Sequence, residues 1–192
     1  MIFQKKKGQF GYLKKAPVIQ GLFTLVLMLL PAGLFLIGFF TTHGYKNLFT
    51  VVAVVGMLPA AKGIVTLIMY FRAEKYSCPE ELHDKIKKYE GKKAFIGYDY
   101  YLTSYSVNYP IPAAAVGKQS LIGLCWDSKT DLNAAESHIK EYLKKNEISG
   151  ITVKIFDSEE KFLGRIASLA DSEDEPTENE QRAFALLASL SL

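Results

Sequence analysis

Residues 17–40 read PVIQGLFTLVLMLLPAGLFLIGFF, an apolar run whose polar interruptions are Gln20 and Thr24. At a rise of about 1.5 Å per residue such a run crosses a hydrocarbon core of roughly 30 Å, so it predicts a transmembrane helix. A second run, 47–71, reads NLFTVVAVVGMLPAAKGIVTLIMYF and carries one charge, Lys62. The connection between them, Thr41-Thr42-His43-Gly44-Tyr45-Lys46, is short enough to require an antiparallel return, which predicts a helical hairpin. A signal peptide would show an apolar region of about 7–15 residues and a small-residue cleavage site, and neither fits. The hairpin is therefore expected in the mature chain.

Charge follows the same division. The chain has 192 residues with 23 Lys plus Arg and 20 Asp plus Glu, but residues 1–71 hold seven lysines (Lys5, Lys6, Lys7, Lys14, Lys15, Lys46, Lys62) and no acid. The remainder carries 16 basic residues against all 20 acids, a net of −4. This asymmetry excludes a single soluble domain and a strongly basic nucleic-acid binder, and no nucleic-acid partner is expected. Five lysines precede the first span and Arg72 and Lys75 follow the second, whereas the loop has Lys46 alone. By the positive-inside bias the protein is a multi-pass protein of the cell membrane with both termini cytoplasmic. Tyr12, Tyr45, Tyr70 and Phe71 fall at the expected interfaces.

Within the spans, Pro31 and Pro59 fall near one depth, and each leaves a carbonyl one turn earlier for a neighbour to satisfy. Gly56, Ala60 and Gly63 make a small-residue face on the second helix, suited to close approach by the first helix or by another copy of the chain. Lys62 invites a functional reading as an intramembrane cation. It lies about nine residues, roughly 13 Å, from the cytoplasmic end, which a lysine stem covers in good part by snorkelling.

The segment after the hairpin predicts a small α+β domain in the order α-β-β-β-α-β-α, then an acidic linker and a C-terminal helix. Ser77-Cys78-Pro79-Glu80 has the form of a capping box ahead of a helix of about twelve residues carrying Leu82, Ile86 and Tyr89. From Ala94 to Tyr105 the period is two, placing Ile96, Tyr98, Tyr100 and Leu102 on one face of a strand. Val107 to Ala115 alternates likewise, but Pro110 and Pro112 predict an edge or partly irregular strand. Gly117-Lys118 turns the chain into a third strand, 121–126. A helix follows, with Leu132, Ala135, Ile139, Tyr142 and Leu143 on its apolar stripe and Thr130 or Asp131 as cap. Ile151, Val153 and Ile155 mark a fourth strand, Asp157 with Glu160 a second capping box, and Thr177 with Glu180 a third. The divisions are thus a basic N-terminus 1–16, the hairpin 17–71, the domain 77–170, and the linker with its helix 171–192.

Chemistry-bearing residues are sparse. Cys78 and Cys125 are far apart and read as buried or idle thiols, since structural disulfides are unusual in the cytoplasm. His43, His83 and His138 share no ligand spacing, so no zinc site is expected, and no cofactor. Gly117-Lys118-Gln119-Ser120 lacks the upstream glycine of a phosphate loop and reads as a hairpin turn. The tyrosines Tyr98, Tyr100, Tyr101, Tyr105 and Tyr109 form a candidate interaction face, part of which the strand period places in the core.

The order helix, three strands, helix, strand over residues 79–156 resembles the core of the restriction-endonuclease-like fold. Asp127-Ser128-Lys129, at the end of the third strand, looks like the Asp-x-Lys half of that family's metal motif, with Asp99 as a conceivable second carboxylate. The resemblance implies a metal-dependent nuclease using Asp99, Asp127 and Lys129. The chain departs from the pattern in placing Asp99 on the first strand and no acid on the second. The preferred expectation is a membrane-anchored protein-interaction module that binds a protein partner or forms a homo-oligomer, with the lipid bilayer as its other partner. The alternatives are the tethered nuclease and an accessory subunit of a transport complex centred on Lys62.

Overall fold

The computed structural model describes residues 6–91, 93–104, 107–171 and 175–192. The chain divides into two compact units, 13–75 and a domain formed by the residues up to Tyr12 together with 76–192.

The first unit is the helical hairpin, α1 (Tyr12–Thr42) and α2 (Leu48–Glu74). Buried residues recur every seven positions along α1, at Pro17, Thr24, Pro31 and Gly38, and along α2 at Ala53 and Ala60 and again at Gly63 and Tyr70. That period is the signature of two helices wound about a common seam. Small residues set the separation: a Cβ on Gly63 would lie 2.8 Å from Thr24 Oγ1, and one on Gly56 would lie 3.2 Å from Pro31 Cγ. Asn47 closes the turn, accepting from Thr50 N–H (2.8 Å) while its amide donates to Gly44 O (2.7 Å) and Thr42 Oγ1 (2.8 Å). The outward faces are apolar and uncovered, with Leu22, Leu30, Val54 and Leu58 each more than 60% exposed. Both helices are long and apolar enough to cross a membrane.

The second unit is an α/β domain built on a mixed four-stranded sheet. Its helices are α3 (Glu80–Lys87), α4 (Leu132–Lys145), α5 (Glu159–Ala170) and α6 (Glu178–Leu190). Its strands β1 (Phe95–Thr103), β2 (Asn108–Gly117), β3 (Ser120–Leu124) and β4 (Thr152–Phe156) lie in chain order across the sheet. The first three are antiparallel, and β4 returns parallel to β3 after the α4 crossover. Two cores result. Leu82, Ile86, Phe162, Ile166 and Leu169 of α3 and α5 cover one face, and Ala135, Ile139, Leu143, Ala183 and Leu187 of α4 and α6 cover the other. The element order agrees with the sequence reading, while helices on both faces replace a simple α+β arrangement.

Several local expectations are corrected. β2 is central, not an edge strand. Pro110 is tolerated because its partner Tyr101 turns its amide and carbonyl outward, to Ser191 Oγ and Leu192 N–H at 3.0 Å each. In such a pair no ladder bond is exchanged, so the proline nitrogen points away from β1, beyond the last β3 pair, Ala113↔Leu124. Pro112 stands opposite Asp99, where the pairing register is interrupted. Asp99 has φ 58° and shifts the phase of the strand. Ile96 and Tyr98 consequently pack on the α3/α5 side, while Tyr100 and Leu102 pack on the α4/α6 side, not on one common face.

The first two capping boxes do not form. Neither Pro79, which caps α3, nor Ser158, which caps α5, makes a side-chain cap bond. The box at Thr177 and Glu180 is complete, and Asp131 caps α4 by accepting from Asn133 and Ala134 N–H. The free edge of β1 is covered by both chain ends: Gly8 bridges Tyr98, and Ser191 bridges Leu102. The N-terminal segment is thus part of the domain through Tyr12, and α1 starts there, ahead of Pro17.

Candidate functional site

The residues singled out for metal chemistry are held in separate structural roles. Asp99 is fully buried, and its Oδ1 accepts from Cys78 N–H at 2.7 Å, just ahead of α3. Asp127 organises the turn into α4: Oδ1 accepts from Lys129 N–H (3.2 Å), and Oδ2 accepts from Thr130 Oγ1 (3.2 Å) and Tyr76 OH (3.3 Å). The Lys129 side chain is exposed on that turn. Among the described residues no three of His, Cys, Asp or Glu gather as a metal site would require. Asp99 thus accepts from the chain ahead of α3, and Asp127 from the turn into α4 and from Tyr76.

The expectation of an exposed tyrosine face is corrected by burial. Tyr98, Tyr100, Tyr101 and Tyr109 are all buried, and Tyr105 lies outside the described residues. Tyr98 donates to Glu90 Oε1 at 2.6 Å, and burial followed by that bond pushes its phenol well above the ordinary tyrosine range. The Tyr100 ring lies over Gly97, where any Cβ would collide with its hydroxyl. Tyr101 stacks with Tyr76 at a ring separation of 6.0 Å. Large amphipathic rings here fill cores instead of forming a surface.

Cys78 and Cys125 are buried thiols, and burial, its first cause, raises the Cys125 pKa against the opposing bonds from the Asp127 backbone and Thr130. His83 sits between Phe10, stacked at 3.9 Å, and Tyr98 at 4.9 Å. In the hairpin, Gly56, Ala60 and Gly63 line the seam with α1 of the same chain, while Lys62 is exposed on the outer side of α2.

Folding brings together a set of residues that sequence spacing did not suggest. Lys93, Lys118, Gln119, Arg165, Glu175, Thr177 and Glu180 line a cleft of about 590 Å³. The two-residue turn Lys118-Gln119, with φ of 46° and 52°, forms one wall. This is the geometry of a tight β-hairpin, occupied here by side chains in place of the usual glycine. Glu180 ties the opposite wall to the turn, accepting from Gln119 N–H at 2.6 Å through Oε1 and from Thr177 N–H at 2.7 Å through Oε2. Lys118 Nζ donates to Ser168 O (3.3 Å) and Arg165 to Ser120 Oγ (3.4 Å). Three cations thus converge where a carboxylate already meets a backbone amide. The Gly-Lys pair was the one sequence signal at this place, and it marks the turn.

A polarity in the domain follows. The cleft lies at the β2–β3 turn, whereas the chain joins the hairpin through Tyr12 and Tyr76 at the other end of the sheet. There Tyr12 OH donates to Leu192 O (3.4 Å), and Tyr76 packs on Tyr101 and Asp127. Compared with family models, curated proteins and solved structures, the chain matches none.

Proposed function

We propose that the protein is a two-span integral membrane protein of the cell membrane, with both termini cytoplasmic, that holds its α/β domain at the membrane as a protein-interaction module. The observation that carries this reading is the hairpin's construction. Its small-residue seam is used up between α1 and α2, leaving large apolar side chains exposed on the outside, with 17% of the most apolar window of either helix buried. In water such a surface would aggregate, whereas in lipid it is the solvated state. The lysine-rich flanks and acid-free first 71 residues favour the cytoplasmic orientation.

The interaction role rests on how the domain is tied. Tyr12 and Tyr76, the domain residues next to the hairpin in sequence, are both built into the domain, through Leu192 and Asp127. The cleft lies at the opposite end of the sheet from those two residues and suits an acidic protein segment, because Lys93, Lys118 and Arg165 outnumber the two acids that also line it, Glu175 and Glu180. Resistance to alkaline carbonate extraction and the accessibility of the 41–46 loop to external protease in spheroplasts bear on topology, with loop cleavage and intact termini expected. In-membrane crosslinking with mass spectrometry bears on the partner. The pair Lys118→Glu and Arg165→Glu is expected to abolish the crosslinked species without changing membrane abundance, and an unchanged crosslinking pattern would refute the cleft as the contact.

A further inference from the structure

The domain covers its large apolar side chains with two exceptions among the described residues, Val107 at 47% exposure and Trp126 at 42%. Both lie at the tether end. Trp126 lies two residues beyond the end of β3 and precedes Asp127, whose carboxylate accepts from Tyr76 OH. Val107 precedes β2 and closes the β1–β2 connection, its carbonyl accepting from Ser104 N–H at 3.0 Å. Tyr101, on β1 at the same end of the sheet, carries the Tyr76 ring on one side and receives the Leu192 amide on its carbonyl. Lys129 is exposed on the same turn as Trp126. The acids nearby are occupied: Asp127 by Tyr76, Thr130 and the Lys129 amide, and Asp131 by the first turn of α4.

We propose that this end of the domain is a lipid-contact surface, with Trp126 and Val107 seated among the headgroups of an anionic bilayer and Lys129 beside a lipid phosphate. The proposal rests on the two-span reading above. An indole is suited to that depth because its ring is apolar and its N–H wants a polar partner. A juxtamembrane lysine gains from the negative surface potential of an anionic leaflet. The exposed pair lies at the end of the sheet that carries Tyr12 and Tyr76, the domain residues next to the apolar hairpin in sequence.

Trp126 is the single tryptophan of the chain, so intrinsic fluorescence reports on this site alone. The test uses the full chain reconstituted in phosphatidylcholine/phosphatidylglycerol vesicles containing lipids brominated high on the acyl chain. Emission is expected to fall relative to vesicles without brominated lipid, since an indole at the interface lies within reach of the bromines. The reporter Trp126→Phe/Ser149→Trp moves the probe to the opposite end of the sheet and is expected to remain unquenched. Lys129→Glu is expected to weaken Trp126 quenching in anionic vesicles and leave it unchanged in pure phosphatidylcholine. If the protein resists carbonate extraction yet Trp126 is quenched no more than the Ser149→Trp reporter, the lipid contact is overturned and the two-span reading stands. If carbonate extracts the protein, the two-span reading fails and this inference fails with it.

Discussion

Asp99 combines two states that residues ordinarily avoid, complete burial and a left-handed backbone. A carboxyl group out of water needs hydrogen-bond partners, and Cys78 N–H supplies one at 2.7 Å. The positive φ is less costly for Asp or Asn than for other non-glycine residues. The role is therefore geometric: Asp99 resets the phase of β1 and anchors the entry to α3. Asp99→Asn keeps both the acceptor oxygen and the tolerance of positive φ, and it is expected to lie within about 1 kcal/mol of the native protein. Asp99→Ala loses both and is expected to cost about 2–4 kcal/mol. Denaturant titration of the full chain in mild detergent reads the difference. A loss in Asp99→Asn equal to that in Asp99→Ala would mean that the negative charge itself is required, as a cation site would demand.

At the scale of elements, the hairpin seam makes a direct prediction about which helix pairs with which. A Cβ built on Gly63 lies 3.4 Å from Thr24 Cβ, close to the roughly 3.5–4.5 Å that a disulfide spans. Thr24→Cys with Gly63→Cys is expected to oxidise within one chain and migrate as a compact monomer on non-reducing gels. A covalent dimer as the main product would place the small-residue face between two copies instead. Sequence alone left that choice open, because a stripe of Gly and Ala specifies close approach and not the identity of the partner. Much else at this scale was legible. The helix period placed α4 and α6, the period of two located the strands, and the capping box at Thr177 predicted the start of α6. What escaped was non-local. Nothing in the local pattern says that one residue at φ 58° moves Tyr100 and Leu102 to the opposite layer, or that Pro110 faces past the end of β3. The cleft was equally illegible, since Lys93, Lys118, Arg165 and Glu180 meet only through the sheet order.

For the molecule as a whole, the domain's sheet is covered along β1, capped at one point on β4, and polarised from end to end. The two chain ends pair with β1, and Lys7, its pKa lowered by burial, donates to Ser191 O at 2.6 Å. On the β4 edge the buried Glu136 of α4 accepts from Ile155 N–H at 3.0 Å. Covering exposed strand edges in this way suppresses sheet-to-sheet association, so a partner is better met by side chains than by strand addition. The β4 closure has a pH signature. Burial alone would raise the Glu136 pKa, but the Ile155 N–H together with Lys154 at 3.0 Å and Lys140 at 3.6 Å outweighs it, and the net shift is downward. His138, between Tyr109 and Tyr142, is also lowered, first by burial. A group with a lowered folded pKa binds fewer protons folded than unfolded, so its contribution is complete above the unfolded pKa and is lost as pH falls through the folded one. The unfolded values are about 6.5 for His and about 4.3 for Glu. Acidification of the full chain in detergent is therefore expected to lower the melting temperature in two stages, the first setting in below about pH 6.5 and the second below about pH 4.3. His138→Gln should remove the first stage. Glu136→Gln should flatten the second and lower stability at neutral pH, because the bond to Ile155 N–H then loses its charge while Lys154 and Lys140 lose their partner. A melting temperature that rises on acidification would show that self-repulsion among the domain's excess carboxylates, and not the β4 edge, governs its acid response.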